Sequence, residues 1–492
     1  MNFQFLDTLS VSKQVENSVS SNLRRVVSGS EDVLTSPIVK RKAPEDILKG
    51  WDEIVKENLS AMNADLINLE ESNKLKFGPR SIAAPWGERT DGVLSYFAED
   101  TLFTPPTVSK VPRRNLRPIS EAKALGFLKN STNSGLPYYT KKGKVKEIYS
   151  TMQSPLLSRK DPCVMFTRTQ EQRKTRTVWG YPMADTLREM QYYEPILGYQ
   201  RKLNWRNSLS GPDAVNRKMS DLVTKAISSD QYLLSIDFSA YDASVKTTLQ
   251  KASFDYFKSL YQADYHEEID DIATRFNTIG LVTPDGIIDG PHGVPSGSTF
   301  TNEVDSVAQY LIATEYGLSS DNFDIQGDDG AYVVSDPDSL KDYFRKYNLV
   351  VNDDKSYISK DYLIYLQNLY HKDYMRDGII GGIYPTYRAL NRIVYLERFT
   401  DFLEDDLKGQ DYFSLRTISI LENCKFHPLF EELVKYVASL DKYKLKYSNS
   451  GLAKYTQRAS QSSGVAGIFK YRYEDDPKGL NNFDTVKLLK EL

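Results

Sequence analysis

The sequence predicts an α+β protein. Residues 231–236 form an apolar run of about one strand's length that ends abruptly in acid at Asp237. Two further extended runs, 322–326 and 331–335, flank the glycine-bounded acidic turn Gly327-Asp328-Asp329-Gly330, as in an antiparallel hairpin. Around them, apolar residues recur at three- and four-residue spacing, the mark of amphipathic helices.

The chain of 492 residues is 40% hydrophobic, enough for several subdomains around one framework. Two cysteines, Cys163 and Cys424, exclude a disulfide framework or a Cys-rich zinc site and fit a reducing compartment. Residues 1–7 lack the basic start and apolar run of a leader, and no apolar segment reaches bilayer length, so a soluble, non-secreted protein is expected. A net charge of −3 means that any nucleic-acid contact must come from local clusters. Four stand out: Arg113-Arg114…Arg117, Lys141-Lys142…Lys144…Lys146, Arg168…Arg173-Lys174…Arg176, and Arg201-Lys202…Arg206. The 33 tyrosines offer rings that can stack on bases, although packing explains most such rings.

In chain order, residues 1–110 mix short helical patterns with polar linkers and show no chemistry. A helix is expected over 44–69, with Ile47, Leu48, Trp51, Ile54, Val55 and Leu59 on its apolar face. Residues 130–137, Asn-Ser-Thr-Asn-Ser-Gly-Leu-Pro, form a loop by composition. If residues 167–182 are extended, Lys174 and Arg176 share one face, with Arg173, Thr175, Thr177, Trp179 and Tyr181 on the other. That basic face suits a triphosphate, and a solvated edge strand guarded by lysines fits the same pattern.

Asp237 sits where its strand leaves the core, where a carboxylate needs a cation or several donors. Asp242 precedes a helical run over 243–261, and its ordinary role there is an N-cap. Gly293-Val294-Pro295-Ser296-Gly297-Ser298 is a small-residue loop opening a helix through Val307, Tyr310, Leu311 and Ala313, suited to close approach by a sugar-phosphate. After the acidic hairpin come a helix over 340–347 and a strand, acidic turn and strand over 349–358 that carries Lys355. A hairpin and turn follow to Arg392, then mostly helix to Leu492, with a linker at 460–464.

Two adjacent carboxylates repel unless a cation lies between them or one keeps its proton, so a divalent metal is the first reading of Asp328-Asp329. An EF-hand is excluded, because position twelve falls on Val333 where a bidentate Glu is required. An aspartic-protease dyad needs acids facing each other from separate loops, which adjacent residues do not offer.

A basic strand, an acid-tipped strand, a Ser-Gly loop-helix, a GDD hairpin and a lysine turn thus occur in fixed order. On these five motifs the sequence, over about residues 110–400, resembles the viral RNA-dependent RNA polymerases, those of picobirnaviruses and partitiviruses above all. The resemblance implies a right hand of fingers, palm and thumb, with an antiparallel palm sheet flanked by helices and the hand closed. It implies residues 1–110 as an extension bridging fingers and thumb and 111–230 as fingers. The palm would span 231–385 with an inserted fingers segment at about 250–290, and the thumb and tail 386–492. The implied activity is RNA-directed RNA polymerase: nucleotidyl transfer from rNTPs to an RNA 3′-hydroxyl, replicating and transcribing a double-stranded RNA genome. Two Mg²⁺ ions are implied as cofactors, replaceable by Mn²⁺.

By the same resemblance, Asp237 and Asp328 hold the metals with Asp329 in support. Arg168, Arg173, Lys174 and Arg176 hold the triphosphate, and Asp242 senses the ribose 2′-hydroxyl together with Ser296, Gly297 and Thr301. Lys355 protonates the leaving pyrophosphate. Where positive-strand virus polymerases commonly carry Asn, four residues after the motif's Thr, this chain has Asp305, with Asn302 directly after Thr301. Both are candidates for the ribose network. Expected partners are RNA template and product, rNTPs and a viral capsid protein, with no membrane, for a monomer in the virion interior and host cytoplasm. Two rivals share parts of the pattern: a reverse transcriptase, which typically has an aromatic residue before the acids where Gln326-Gly327 stands here, and a non-catalytic capsid-associated RNA-binding protein.

Overall fold

The computed structural model describes residues 3–101, 103–108, 115–402, 406–462 and 479–492. Arg113-Arg114 and Ser463-Gly464 lie outside them. At the centre is a four-stranded, wholly antiparallel sheet, ordered Phe323–Gln326, Asp329–Val334, Tyr232–Ile236, Tyr357–Ser359. Its strands are apolar on both faces because both are covered. Leu234, Ile236, Phe323, Ile325, Tyr332 and Val334 enter one core with helices Thr247–Leu260, Thr301–Tyr316 and Pro337–Arg345. Leu233, Ala331 and Val333 point the other way, onto Val215, Met219, Leu222 and Val223 of helix Pro212–Ser229.

A second sheet, ordered Thr175–Gly180, Cys163–Thr169, Leu281–Thr283, Gly286–Ile288, contains one parallel pair, between its two middle strands. The run 167–182 is therefore a hairpin rather than one extended segment: Gln172 and Arg173 both adopt positive φ, at 58° and 57°, and reverse the chain.

The segment before residue 101 touches both ends of the molecule. Asn22 donates to the Met165 carbonyl at 2.8 Å, and Trp86 to Asp285 at 2.8 Å. Trp51 donates to Thr386 at 3.0 Å, and the Ile47 carbonyl accepts from Tyr436 at 2.6 Å. The expected helix over 44–69 is two helices, Pro44–Glu57 and Ala64–Lys74, broken at Asn58–Asn63, where asparagines and a short 3₁₀ turn interrupt the ladder. Ile47, Trp51 and Val55 are buried as expected, and Leu59 is exposed.

Other boundaries move. Of the first strand expected over 349–358, a single bridge, Phe238↔Val351, forms; the acidic turn is the 3₁₀ segment Asp353–Lys355. Ala389 to Arg392 lie in helix Thr386–Val394, whose apolar side packs into the C-terminal core, rather than in a turn. Helix Asn449–Ser462 runs into the expected linker. Among the described residues no helix is long and apolar enough to cross a membrane.

Glu70 locks the N-terminal segment to the C-terminal helices. Its buried carboxylate accepts from the Thr386 amide at 2.7 Å, the Thr386 hydroxyl at 2.8 Å and the Tyr387 amide at 3.3 Å, at the start of helix Thr386–Val394. His427, whose Nδ1 accepts from the Leu429 amide, packs against the same carboxylate without a hydrogen bond from its Nε2. Glu70→Ala leaves these donors buried and unpaired, and should cost about 2–4 kcal/mol. A fall in unfolding midpoint checks it; an unchanged midpoint would show that water replaces the carboxylate.

Candidate active site

The last register pair between the two middle strands of the central sheet is Ile236↔Gly330, so Asp237 and Asp329 come next, side by side, at the sheet edge. Gln326 pairs with Asp329, which leaves Gly327-Asp328 as a two-residue turn with Gly327 at φ 64°. Asp329 and Gly330 thus belong to the strand, which starts earlier than the sequence indicates. Gly330 serves close packing rather than turning: a Cβ there would strike Gln309, Tyr332 and Ile236. Asp328 is exposed at the tip, and Asp237 and Asp329 are half-buried.

Burial raises the Asp237 carboxyl above the ordinary range, opposed by Lys355, reinforced by Asp328 and opposed by Lys174. Burial, then Asp328 and Asp237, raise Asp329 further, with Arg176 and Arg388 opposing. Among the described residues, none of the three acids makes an ion pair, and no three His, Cys, Asp or Glu side chains converge into a ready-made ion cage. Mg²⁺ keeps several of its waters and binds through one or two carboxylates plus substrate oxygens, so an open set of acids that repel one another fits it.

Loop 293–298 lies against this edge, held from four sides. The Gly293 amide donates to the Tyr96 carbonyl at 2.8 Å and the Val294 amide to the Asp242 carbonyl at 2.7 Å. Trp179 donates to the Ser296 carbonyl at 2.9 Å. Buried Glu189 accepts from the Ser298 hydroxyl at 2.9 Å and the Thr299 amide at 2.8 Å. Thr301 Oγ1 donates to the Pro295 carbonyl at 3.1 Å and accepts from the Gly297 amide at 3.4 Å.

The Ser296 hydroxyl donates to Asp242 Oδ2. Asp242 is therefore not an N-cap: it lies inside the short turn Tyr241–Ser244, and the main helix begins at Thr247. Asp305, buried on helix Thr301–Tyr316, faces Asp242. Asn302 turns elsewhere, its Oδ1 accepting from Arg206 at 3.2 Å.

Opposite the acids stands the basic hairpin. Lys174 acts on Asp237, and Arg176 on Asp329 and Asp242. The two outer arginines are engaged: Arg168 with Glu397 at 3.1 Å, and Arg173 with Glu31 at 3.1 Å and Glu88 at 3.9 Å. Arg89, buried behind the hairpin, donates to Thr167 at 2.8 Å and Thr177 at 3.2 Å. A cleft of about 1100 Å³ lies apart from the acids, between helix Lys13–Ser28 and the Asn133, Tyr139 and Phe166 side chains.

Sequence reasoning misses several parts. Arg206, grouped with the basic clusters, is fully buried. It pairs with Glu303 and donates to Ser306 at 2.6 Å, Gln326 at 2.7 Å and the Ile325 carbonyl at 3.1 Å. Lys142 and Lys146 likewise brace the 130–137 loop region through Thr132, the Asn133 carbonyl and the Leu128 carbonyl. Lys76 and Arg388 act on the acids by charge from segments with no motif, Lys76 on Asp237 and Arg388, itself paired with Glu171 at 3.7 Å, on Asp329. No local signal marks them, since each acts across the fold.

Two substitutions probe this framework. Gly297 has φ 155°, and a Cβ there would overlap the Trp179 carbonyl. Gly297→Ala should displace the loop, lowering the melting temperature and reducing turnover by about 10²-fold; undiminished turnover would mean that loop position does not matter. Arg206→Ala strands Glu303 in the core and should cost about 3–5 kcal/mol, read as a lower unfolding midpoint.

A family model described as viral RNA-dependent RNA polymerase matches residues 97–398. The chain is 29% identical over 461 residues to the potential RNA-dependent RNA polymerase of Human picobirnavirus, covering 85% of this chain and 84% of that protein. It is 26% identical over 232 residues to the RNA-directed RNA polymerase of Cryptosporidium parvum virus 1, covering 43% of each. Its structure is similar to the crystal structure of the RNA-dependent RNA polymerase of a human picobirnavirus, with a TM-score of 0.81 and 25% identity over 100% of this chain and 99% of that one. With over half its length matched by the family model, and with acids, loop and basic hairpin gathered at one sheet edge, the chain belongs to the viral RNA-dependent RNA polymerases.

Proposed function

We propose that the protein copies RNA for a virus with a double-stranded RNA genome, transferring nucleotidyl groups from rNTPs to an RNA 3′-hydroxyl with release of pyrophosphate. The observation that carries this reading is the placement of Asp237, Asp328 and Asp329 at one sheet edge, with Lys174, Arg176 and Lys355 acting on them. The central sheet is the palm, the sheet carrying Lys174 and Arg176 belongs to the fingers, and the helices after residue 386 form the thumb. Contacts of the first 100 residues with both outer parts support a closed hand. The protein works as a monomer with capsid protein in the virion interior and host cytoplasm.

Asp237 and Asp328 would hold two Mg²⁺ ions, with Asp329 in support. Bound there, the ions supply charge that activates the 3′-hydroxyl and neutralises the departing pyrophosphate. Lys174 and Arg176 orient the triphosphate and offset its charge in the transition state. Arg168 and Arg173 exchange Glu397, Glu31 and Glu88 for phosphate as the nucleotide enters. Lys355 hands a proton to the leaving group. Asp242, held by Ser296 and backed by Asp305, accepts the ribose 2′-hydroxyl, which favours rNTPs over dNTPs.

The test is Mg²⁺-dependent incorporation of labelled nucleotides on an RNA template. Asp237→Ala and Asp328→Ala should each lose at least about 10²-fold, and Asp329→Ala less. Equal incorporation by wild type and the first two variants would remove the metal assignment, and preference for dNTPs in direct competition would overturn the choice of substrate.

A further inference from the structure

Resting on the reading of Asp242 as the ribose acceptor, we propose that Asp305 acts as a neutral carboxylic acid whose O–H donates to the Asp242 carboxylate, fixing Asp242 to receive the 2′-hydroxyl. The geometry asks for such a proton. Asp305 is 3% exposed, and its Oδ1 has no hydrogen-bond partner. Its carboxyl is within hydrogen-bonding reach of Asp242, whose Oδ2 already accepts from Ser296. The neighbouring Tyr241 hydroxyl does not relieve it, since that hydroxyl donates to the Asp305 backbone carbonyl at 3.0 Å.

The ionisable groups facing this pair are Tyr241 on the same turn as Asp242, Asp328 on the acidic hairpin, Tyr96 on the N-terminal segment and Arg176 on the basic hairpin. Arg176 acts on Asp242 and Tyr96, and no cation acts on Asp305. Two carboxylates in contact, with no cation acting on the buried Asp305, repel strongly, and one shared proton turns that repulsion into an O–H···O⁻ bond. Burial first, then Asp242, accordingly hold Asp305 well above the usual carboxylate range. A carboxylic acid and a carboxamide are nearly isosteric and both donate, so Asn is the conservative replacement.

Folding raises the affinity of Asp305 for its proton. Between the pH at which the unfolded side chain ionises and the higher pH at which the folded one does, the native state binds more protons and stability falls as pH rises. Asn carries no such dependence. Asp305→Asn should therefore melt above wild type at about pH 8, with the gap closing toward about pH 4.

The experiment uses the full chain. Infrared spectra with ¹³C-labelled aspartate should show the carbonyl stretch of a protonated carboxyl near neutral pH in wild type, reduced in Asp305→Asn. Absence of that band overturns the proposal. In rNTP/dNTP competition, Asp305→Ala should lose about tenfold in discrimination, one hydrogen bond's worth, and Asp305→Asn should restore it. An Asn variant as poor as Ala shows that the charge, not the donor, matters and also overturns the proposal. A wild-type protein that incorporates no nucleotide removes the polymerase reading, while the infrared band still reports on the proton independently.

Discussion

The acidic hairpin can stand at the sheet edge because Arg206 holds it there. Its guanidinium is fully buried and reaches the Ile325 carbonyl and Gln326 on the first hairpin strand, and Asn302, Glu303 and Ser306 on the helix behind. Ser306 also receives the Gly327 amide at 2.8 Å, and Gln309 one helical turn later donates to the Gly327 carbonyl at 2.7 Å. Turn and helix are thus fastened through both peptide groups of Gly327. A buried ion pair contributes little net stability but costs much when broken, so its effect is to exclude other hairpin positions. Since helix Thr301–Tyr316 also carries Asp305 and follows directly from the Ser296-Gly297 loop, one guanidinium indirectly sets the distance between the acidic turn and the loop.

The basic hairpin is positioned by a different device. Its inner side rests on Arg89, and its strand is fastened to the loop through Trp179 and Ser296. Lys174 and Arg176 are left to face the acids, while Arg168 and Arg173 are held outward by Glu397, Glu31 and Glu88. Those partners are on exposed or half-buried side chains, so the pairs are weak, as the proposed exchange for phosphate oxygens requires. The arrangement grades the cations from a loosely held outer ring to an inner pair directed at the acids.

Much of this is readable from the chain alone, for a physical reason in each case. Strand 232–236 declares itself through a mostly apolar run ending in acid, and the hairpin through glycine and two carboxylates, because these patterns are local. The reversal at Gln172-Arg173 is silent, since positive φ at non-glycine residues leaves no strong compositional trace. The helix break at Asn58–Asn63 is masked by apolar spacing that continues through it. Arg206 reads as one more basic surface residue, and its burial depends on Glu303, nearly a hundred positions away. Lys76 and Arg388 are invisible for the same reason: their proximity to the acids is made wholly by tertiary packing.

The central edge therefore carries two acid groups that meet the same electrostatic problem and solve it differently. Asp237, Asp328 and Asp329 stand at the open edge, Asp328 exposed and the other two half-buried, with Lys174, Arg176 and Lys355 acting on them. Asp242, half-buried and bonded by Ser296, faces the buried Asp305, and on our proposal a proton there takes the place of a cation. On the proposed reading, the outer group would bind and release metal with substrate, whereas the inner group would keep a fixed donor-acceptor pattern. Discrimination between sugars needs that constancy, because a 2′-hydroxyl is recognised by an acceptor whose other lone pairs are already committed.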